Sequence, residues 1–120
     1  TGQGEKTKAL DFVKLGKAIG IEHISVVDPY DLEETETIIR KEIERPEPSL
    51  IITNRPCILL DRKNRKPPKK IDQELCKFCK LCLRLGCPAL VLKEDRVEIN
   101  PILCVGCELC SQVCNSNAII

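Results

Sequence analysis

Eight of the nine cysteines in this 120-residue chain lie between Cys76 and Cys114, in two groups that echo one another: Cys76-x2-Cys79-x2-Cys82-x4-Cys87-Pro88 and Cys104-x2-Cys107-x2-Cys110-x3-Cys114. A stretch that short, in a chain with only 2% aromatic residues, has too little apolar bulk to fold on packing alone. It needs a staple, and the thiols are the candidates. Three thiols spaced two residues apart are too close for sensible disulfide pairing with one another, and the N-terminus lacks the basic and apolar regions of a secretory signal. Structural zinc commonly uses paired Cys-x2-Cys ligands, which a triple run followed by Cys-Pro matches poorly. The spacing fits two 4Fe-4S clusters, in which a run of three thiolates wraps one cubane and the fourth ligand comes from the other group.

On that rule the first cluster takes Cys76, Cys79, Cys82 and Cys114, and the second takes Cys104, Cys107, Cys110 and Cys87. The crossing ties the two ends of the segment together, so that cluster binding supplies folding energy. Each oxidised cubane with its four thiolates is formally −2, which moves the chain from +1 to about −3. Lys77, Lys80 and Arg84 stand close in sequence to offset part of that charge. Between the groups, 89–92 and 97–100 flank Lys93-Glu94-Asp95-Arg96 and predict a two-stranded hairpin, with short helical turns after Cys82 and Cys107. Gly86 and Gly106 are placed to let the backbone approach the clusters.

Ahead of the cysteines the composition changes. Residues 1–61 carry 8 basic and 12 acidic side chains, whereas 62–70 hold six positive charges and two prolines. The expected organisation is an α/β fragment over 1–61, a basic linker over 62–70 and a small α+β cluster domain over 71–120. The linker is either a solvated spacer or a docking surface for an acidic partner; with no aromatic side chain beside it, nucleic acid is a weak alternative. Within 1–61 a helix is expected from Thr7 to Ile19, capped by Gly20, then a strand at 24–27 ended by Asp28-Pro29. A second helix follows to about Glu44, with Asp31 and Glu34 as a capping box and Leu32, Ile39 and Ile43 on its inner face. Further strands are expected at 50–53 and 57–60, and strand, helix, strand implies a right-handed parallel unit. A parallel sheet of two or three strands cannot cover itself, so 1–61 should pack on further sheet. With no Met anywhere, Thr1 is not expected to be a native start.

No catalytic constellation is visible in 1–61: no glycine-rich phosphate loop, no paired carboxylates, no nucleophile beside a base. His23 is expected to be a connector residue and Cys57 a small buried core residue. Asp28 and Tyr30 follow a parallel strand, where α/β sheets place ligands, although turn chemistry explains them equally well.

Residues 76–114 resemble a bacterial-type ferredoxin domain with two 4Fe-4S clusters. They depart from its pattern in the x4 spacing before Cys87 and in Asn115, where proline commonly follows the last cysteine. Upstream, Val27-Asp28-Pro29-Tyr30-Asp31 and Asn54-Arg55-Pro56-Cys57 resemble the end of the thiamine diphosphate-binding domain of 2-oxoacid:ferredoxin oxidoreductases. The two in this order are similar to the C-terminal part of the alpha subunit in the indolepyruvate ferredoxin oxidoreductase family.

That resemblance implies a part in the oxidative decarboxylation of aryl pyruvates, with coenzyme A, and an external ferredoxin as electron acceptor. It also implies partners in the upstream domains and a second subunit. Thiamine diphosphate and magnesium enter only through those other parts, because their motif is absent from these 120 residues and no residue here is assigned to them. The chain alone should be catalytically incomplete, an electron-transfer segment. An autonomous ferredoxin-like carrier and a zinc-stapled interaction module are the alternatives. Apolar stretches of at most five residues exclude a membrane-spanning helix, and oxygen-sensitive clusters without a secretory signal point to the cytoplasm.

Overall fold

The computed structural model describes residues 5, 8–58, 60, 61, 63 and 65–120. Its backbone divides into two units, Thr1–Leu60 and Asp61–Ile120.

In the first unit, Asp11 opens helix α1 (Phe12–Ala18) by accepting the Lys14 amide at 3.0 Å. The helix starts later than its apolar pattern predicts: residues 8–10 are not helical, and Thr7 lies outside the described residues. Its end is as expected. Gly20 sits at φ +90°, the Ile21 amide reaches the Gly16 carbonyl at 3.0 Å, and the Gly20 amide bonds Lys17 at 3.1 Å, which together make a Schellman stop. Strand β1 (His23–Val27) and strand β2 (Ser49–Thr53) pair in parallel, Ile24 against Leu50 and Val26 against Ile52. Helix α2 (Leu32–Ile43) is the crossover between them. His23 is thus the first residue of β1, opposite Ser49, and not part of the connector.

Three expectations fail here. Of the expected strand at 57–60, Leu59 lies outside the described residues, while Ile58 and Leu60 lie in a turn with the Leu60 amide on the Cys57 carbonyl at 2.9 Å, so the parallel sheet of the described residues has two strands. Cys57 is exposed, because without a third strand nothing carries it into a core. On α2, Ile39 and Ile43 face outward, Ile43 at 77% exposure, while Leu32, Thr35, Ile38 and Glu42 form the covered stripe. Glu42 tolerates that place because Arg45 donates to it at 2.8 Å, and this bond holds its carboxyl below the ordinary range against the opposing effect of burial. Half the capping box forms. Asp31 accepts the Glu34 amide at 2.9 Å, but the Asp31 amide bonds the Asp28 carbonyl instead of a Glu34 side chain.

Asp28 itself is fully engaged: one carboxylate oxygen takes the Tyr30 amide at 2.9 Å, the other pairs with Arg55, and its carbonyl accepts the Thr35 hydroxyl at 3.2 Å. Arg55 also lies 4.0 Å over the Tyr30 ring. Turn formation accounts for these residues.

The second unit is built from a repeat. A 3-10 turn (Leu81–Leu85) begins one residue before Cys82 rather than after it, strands β3 (Leu90–Leu92) and β4 (Val97–Ile99) pair antiparallel as expected, and helix α3 (Leu109–Gln112) begins after Cys107 and contains Cys110. The ends of the unit close on each other, with Ile71 bridged to Ile119 and Lys70 exchanging backbone bonds with Ile120 at 2.8 and 2.9 Å. The core is small. It consists of Ala89, Val97, Ala118 and Ile119, together with Cys104 and Cys110, all buried. No helix of the described residues is long and apolar enough to cross a membrane.

Candidate metal centres

The two cysteine runs adopt one backbone, residue for residue. Asp72 accepts the Cys76 amide at 3.0 Å and Asn100 accepts the Cys104 amide at 3.0 Å through their carbonyls, and each side chain bonds the amide two residues on at 2.9 Å. Phe78 and Gly106, just before the second cysteine of each run, both have positive φ, +49° and +69°. Lys80 and Glu108, just after it, do too, at +62° and +66°. Left-handed residues on both sides of a cysteine fold each run into a tight loop, and the 3-10 turn and α3 begin directly after it.

The repeat also explains the longer x4 spacing. In the second run a turn bond from the Cys114 amide to the Ser111 carbonyl, 3.2 Å, ends on the last cysteine. Its counterpart in the first run ends on Gly86, bonded to Leu83 at 3.1 Å, and Cys87 comes one residue later. Gly86 is the added residue. Its φ of +64° is the reason for glycine there, since a Cβ would meet nothing within 4 Å.

Each predicted set of four thiols borders a single cavity. Cys76, Cys79, Cys82 and Cys114 line a narrow one of about 20 Å³, walled by Ile71, Val97 and Ile119. Cys87, Cys104, Cys107 and Cys110 line the other, of about 380 Å³, to which Leu85, Gly86 and Pro88 contribute. The x4 loop therefore forms part of the wall of the wider cavity. Cys114 lines the cavity of the first run and Cys87 that of the second. Thiol electrostatics divide the same way. Burial pushes the Cys82 thiol up, and Cys114 and Cys76 push it further. Burial likewise raises Cys110, followed by the charges of Cys107, Cys104 and Cys87. Cys114 is the exception. Burial opposes its charge, but the Ser116 hydroxyl at 3.5 Å and the amides of Ser116, Ala118 and Ile119 outweigh it and hold the thiol below its usual value.

The donors suit a soft, electron-rich metal centre: four thiols to a cavity and no histidine or carboxylate lining the first. Among the described residues no three His, Cys, Asp or Glu side chains converge closely enough to hold one metal ion.

The basic run departs most from its sequence reading. Arg62 and Asn64 lie outside the described residues, but 65–70 lie along the second run. Arg65 donates to the Cys104 carbonyl at 2.9 Å, and the ammonium groups of Lys66 and Lys69 both pair with Glu108, Lys69 at 2.9 Å. These two lysines hold the Glu108 carboxyl down to about 2. Gly106 is in contact with this segment: a Cβ would stand 2.5 Å from the Lys66 carbonyl oxygen and 2.7 Å from that of Pro67. Sequence reasoning missed this packing. The available signals were Glu108 and Gly106 inside the second run, an acid and a glycine where the first run has Lys80 and Phe78.

Among known proteins, the sequence is 34% identical over 119 residues to indolepyruvate oxidoreductase subunit IorA of Methanothermobacter marburgensis, which covers 98% of this chain and 19% of that protein. It is 31% identical over 123 residues to the subunit of the same name from Archaeoglobus fulgidus, covering 98% of this chain and 20% of the relative. The corresponding protein of Pyrococcus horikoshii is 34% identical over 110 residues, 84% of this chain and 17% of its own length. The chain thus spans about a fifth of the length of the curated relatives it matches. No protein-family profile matches it, and no solved structure does.

Proposed function

From its homology, along 84–98% of its length, to a segment of indolepyruvate oxidoreductase subunit IorA, we propose that the chain is the electron-transfer segment of a larger indolepyruvate-type 2-oxoacid:ferredoxin oxidoreductase. In this reading 1–61 end a thiamine diphosphate-binding domain and 71–120 are a ferredoxin-like domain. One observation carries it: eight cysteines, spaced as two runs in sequence, are sorted by the fold into two crossed sets of four, each set around its own cavity.

Cys76, Cys79, Cys82 and Cys114 would hold the first 4Fe-4S cluster, and Cys87, Cys104, Cys107 and Cys110 the second. Bound there, each cluster exchanges one electron at a time, which suits relay of the two electrons released by an oxidative decarboxylation. The chain's own residues do the rest. The left-handed loops around Cys79 and Cys107 bend the backbone so that three thiols of a run face one cavity. Val97, Ala118 and Ile119 exclude water from the first cavity, and Ser116 with its neighbouring amides stabilises charge on Cys114. Thiamine diphosphate, magnesium, the second subunit and an external ferredoxin belong to the complete enzyme in a cytoplasmic setting.

The test is anaerobic reconstitution of the chain followed by analysis of iron and acid-labile sulfide. About eight of each per chain, with a paramagnetic signal that appears on reduction, is the expected result. Zinc without sulfide would refute the cluster assignment. Thiamine diphosphate-dependent turnover by the chain alone would refute its role as a segment.

A further inference from the structure

We propose that the two cysteine loops, alike in backbone, have opposite roles at the surface: the segment 65–69 covers the loop 104–110, and the uncovered loop 76–82 is the docking face for an acidic electron-carrier protein. The inference rests on the cluster assignment above and assigns the partner-facing side of that site.

The asymmetry is visible at equivalent positions. Where the second loop has Gly106, the backbone of Lys66 and Pro67 passes at a distance that admits no side chain. The first loop has Phe78 there, and its ring instead carries the Lys80 ammonium at 4.7 Å. At the next equivalent position, Glu108 binds Lys66 and Lys69, whereas Lys80 is exposed. The cysteines between follow suit: Cys79 is exposed, while Cys107 is half-buried and its neighbours Cys104 and Cys110 are buried. An acceptor approaching the first loop comes close to a thiol. At the second it meets the covering segment.

The charges point the same way. Lys77 and Lys80 are exposed and line the same cavity as Cys79, Arg84 is exposed in the turn that follows, and among the described residues none of the three forms an ion pair. The six-charge run, although more basic in sequence, is partly engaged within its own unit: Lys66 and Lys69 share the Glu108 carboxylate, and Arg65 is bound to the Cys104 carbonyl. Two cations without ion-pair partners, Lys77 and Lys80, beside an exposed thiol steer an anionic protein to that spot and orient it there, and the effect is sensitive to salt.

The experiment uses the full 120-residue chain, loaded anaerobically, with iron, sulfide and the paramagnetic signal checked for every variant. Binding of a strongly acidic bacterial-type ferredoxin is measured by surface plasmon resonance at low and high salt. Lys77→Glu/Lys80→Glu is expected to weaken binding about tenfold or more at low salt and to flatten its salt dependence. Lys63→Glu/Lys70→Glu, charge reversals in the basic run that leave the Glu108 pairs intact, is expected to change it by no more than about twofold. The opposite ranking, equal losses in both variants, or no binding by the loaded wild-type chain overturns the docking assignment. Failure of the wild-type chain to incorporate sulfide would instead overturn the cluster reading beneath it.

Discussion

Gly106→Ala, set beside Gly86→Ala, separates two reasons for a glycine in a cysteine loop. Both residues have left-handed backbone, φ +69° and +64°, so both alanines incur the steric cost of that region, about 1–2 kcal/mol. They differ in what the new methyl meets. At Gly86 there is nothing within 4 Å, and the backbone cost is the whole effect. At Gly106 the methyl would lie 2.5 and 2.7 Å from two carbonyl oxygens and 2.8 Å from the Lys66 carbonyl carbon, and backbone cannot rotate away as a side-chain tip can. Overpacking of that kind adds about 1–3 kcal/mol. The gap between the variants is therefore about 1–3 kcal/mol, and with a urea slope of about 1 kcal/mol per molar for so small a unit it lowers the midpoint by about 1–3 M. The assay is loss of visible cluster absorption after a fixed anaerobic incubation in urea. Comparison between variants is the proper measure, because a bound cofactor breaks two-state behaviour. If Gly106→Ala keeps its clusters as well as Gly86→Ala, segment 65–69 does not cover the second loop.

Other perturbations test other parts of the structure. In unit 1, Gly16→Ala brings a methyl to 2.8 Å from the tips of Ile24 and Leu50, which can turn aside, so the gain in helix propensity leaves the net change within about 1 kcal/mol. Gly16→Val adds bulk that cannot be turned aside and should destabilise by about 1–3 kcal/mol in urea unfolding. The Glu42 carboxyl titrates below its ordinary value, so the stability from its Arg45 bond is complete above pH 4.5 and is lost as the pH falls below that. Urea midpoints of the wild type should drop over that interval more steeply than those of Glu42→Gln; parallel curves would contradict the pairing. In unit 2, Cys114→Ala should abolish the cluster of the first run and Cys87→Ala that of the second, each loosening the survivor because the ligands are crossed. The paramagnetic signals of the two variants identify which cluster remains, and loss of the opposite one refutes the crossing.

Local chemistry made much of this architecture legible. Asp31, Gly20 and the polar turn at 93–96 act where their side chains dictate, because capping and turn formation involve only near neighbours, and Asp11 caps α1 in the same way without having been expected to. What failed depends on partners distant in sequence. Ile39 and Ile43 are as apolar as any core residue, yet the stripe of α2 that meets the sheet runs through Ile38 and Glu42, a choice made by where the crossover lands and by Arg45. Cys57 followed the same logic: its apolar neighbours suggest a strand, but the chain turns there. Gly16 escaped notice because its role, letting α1 approach Ile24 and Leu50, leaves no periodic trace.

The cysteine spacing is a stronger signal than any of these because one register aligns eight cysteines, and the two cavities are each lined by four of them. Spacing is silent, however, about how two copies of a loop diverge. The repeat fixes the backbone: a left-handed residue, a cysteine and another left-handed residue in each run. The side chains at those positions then differ. Phe78 and Lys80 leave the first loop open and cationic; Gly106 and Glu108 make room for, and bind, a passing basic segment in the second. Six positive charges beside two prolines read as a spacer when counted alone, since composition carries no information about a counter-charge some forty residues away. Once Glu108 is placed against Lys66 and Lys69, the charge density of the sequence and the available charge of the surface part company. The weaker-looking pair of Lys77 and Lys80 then becomes the site where an acidic partner would be met.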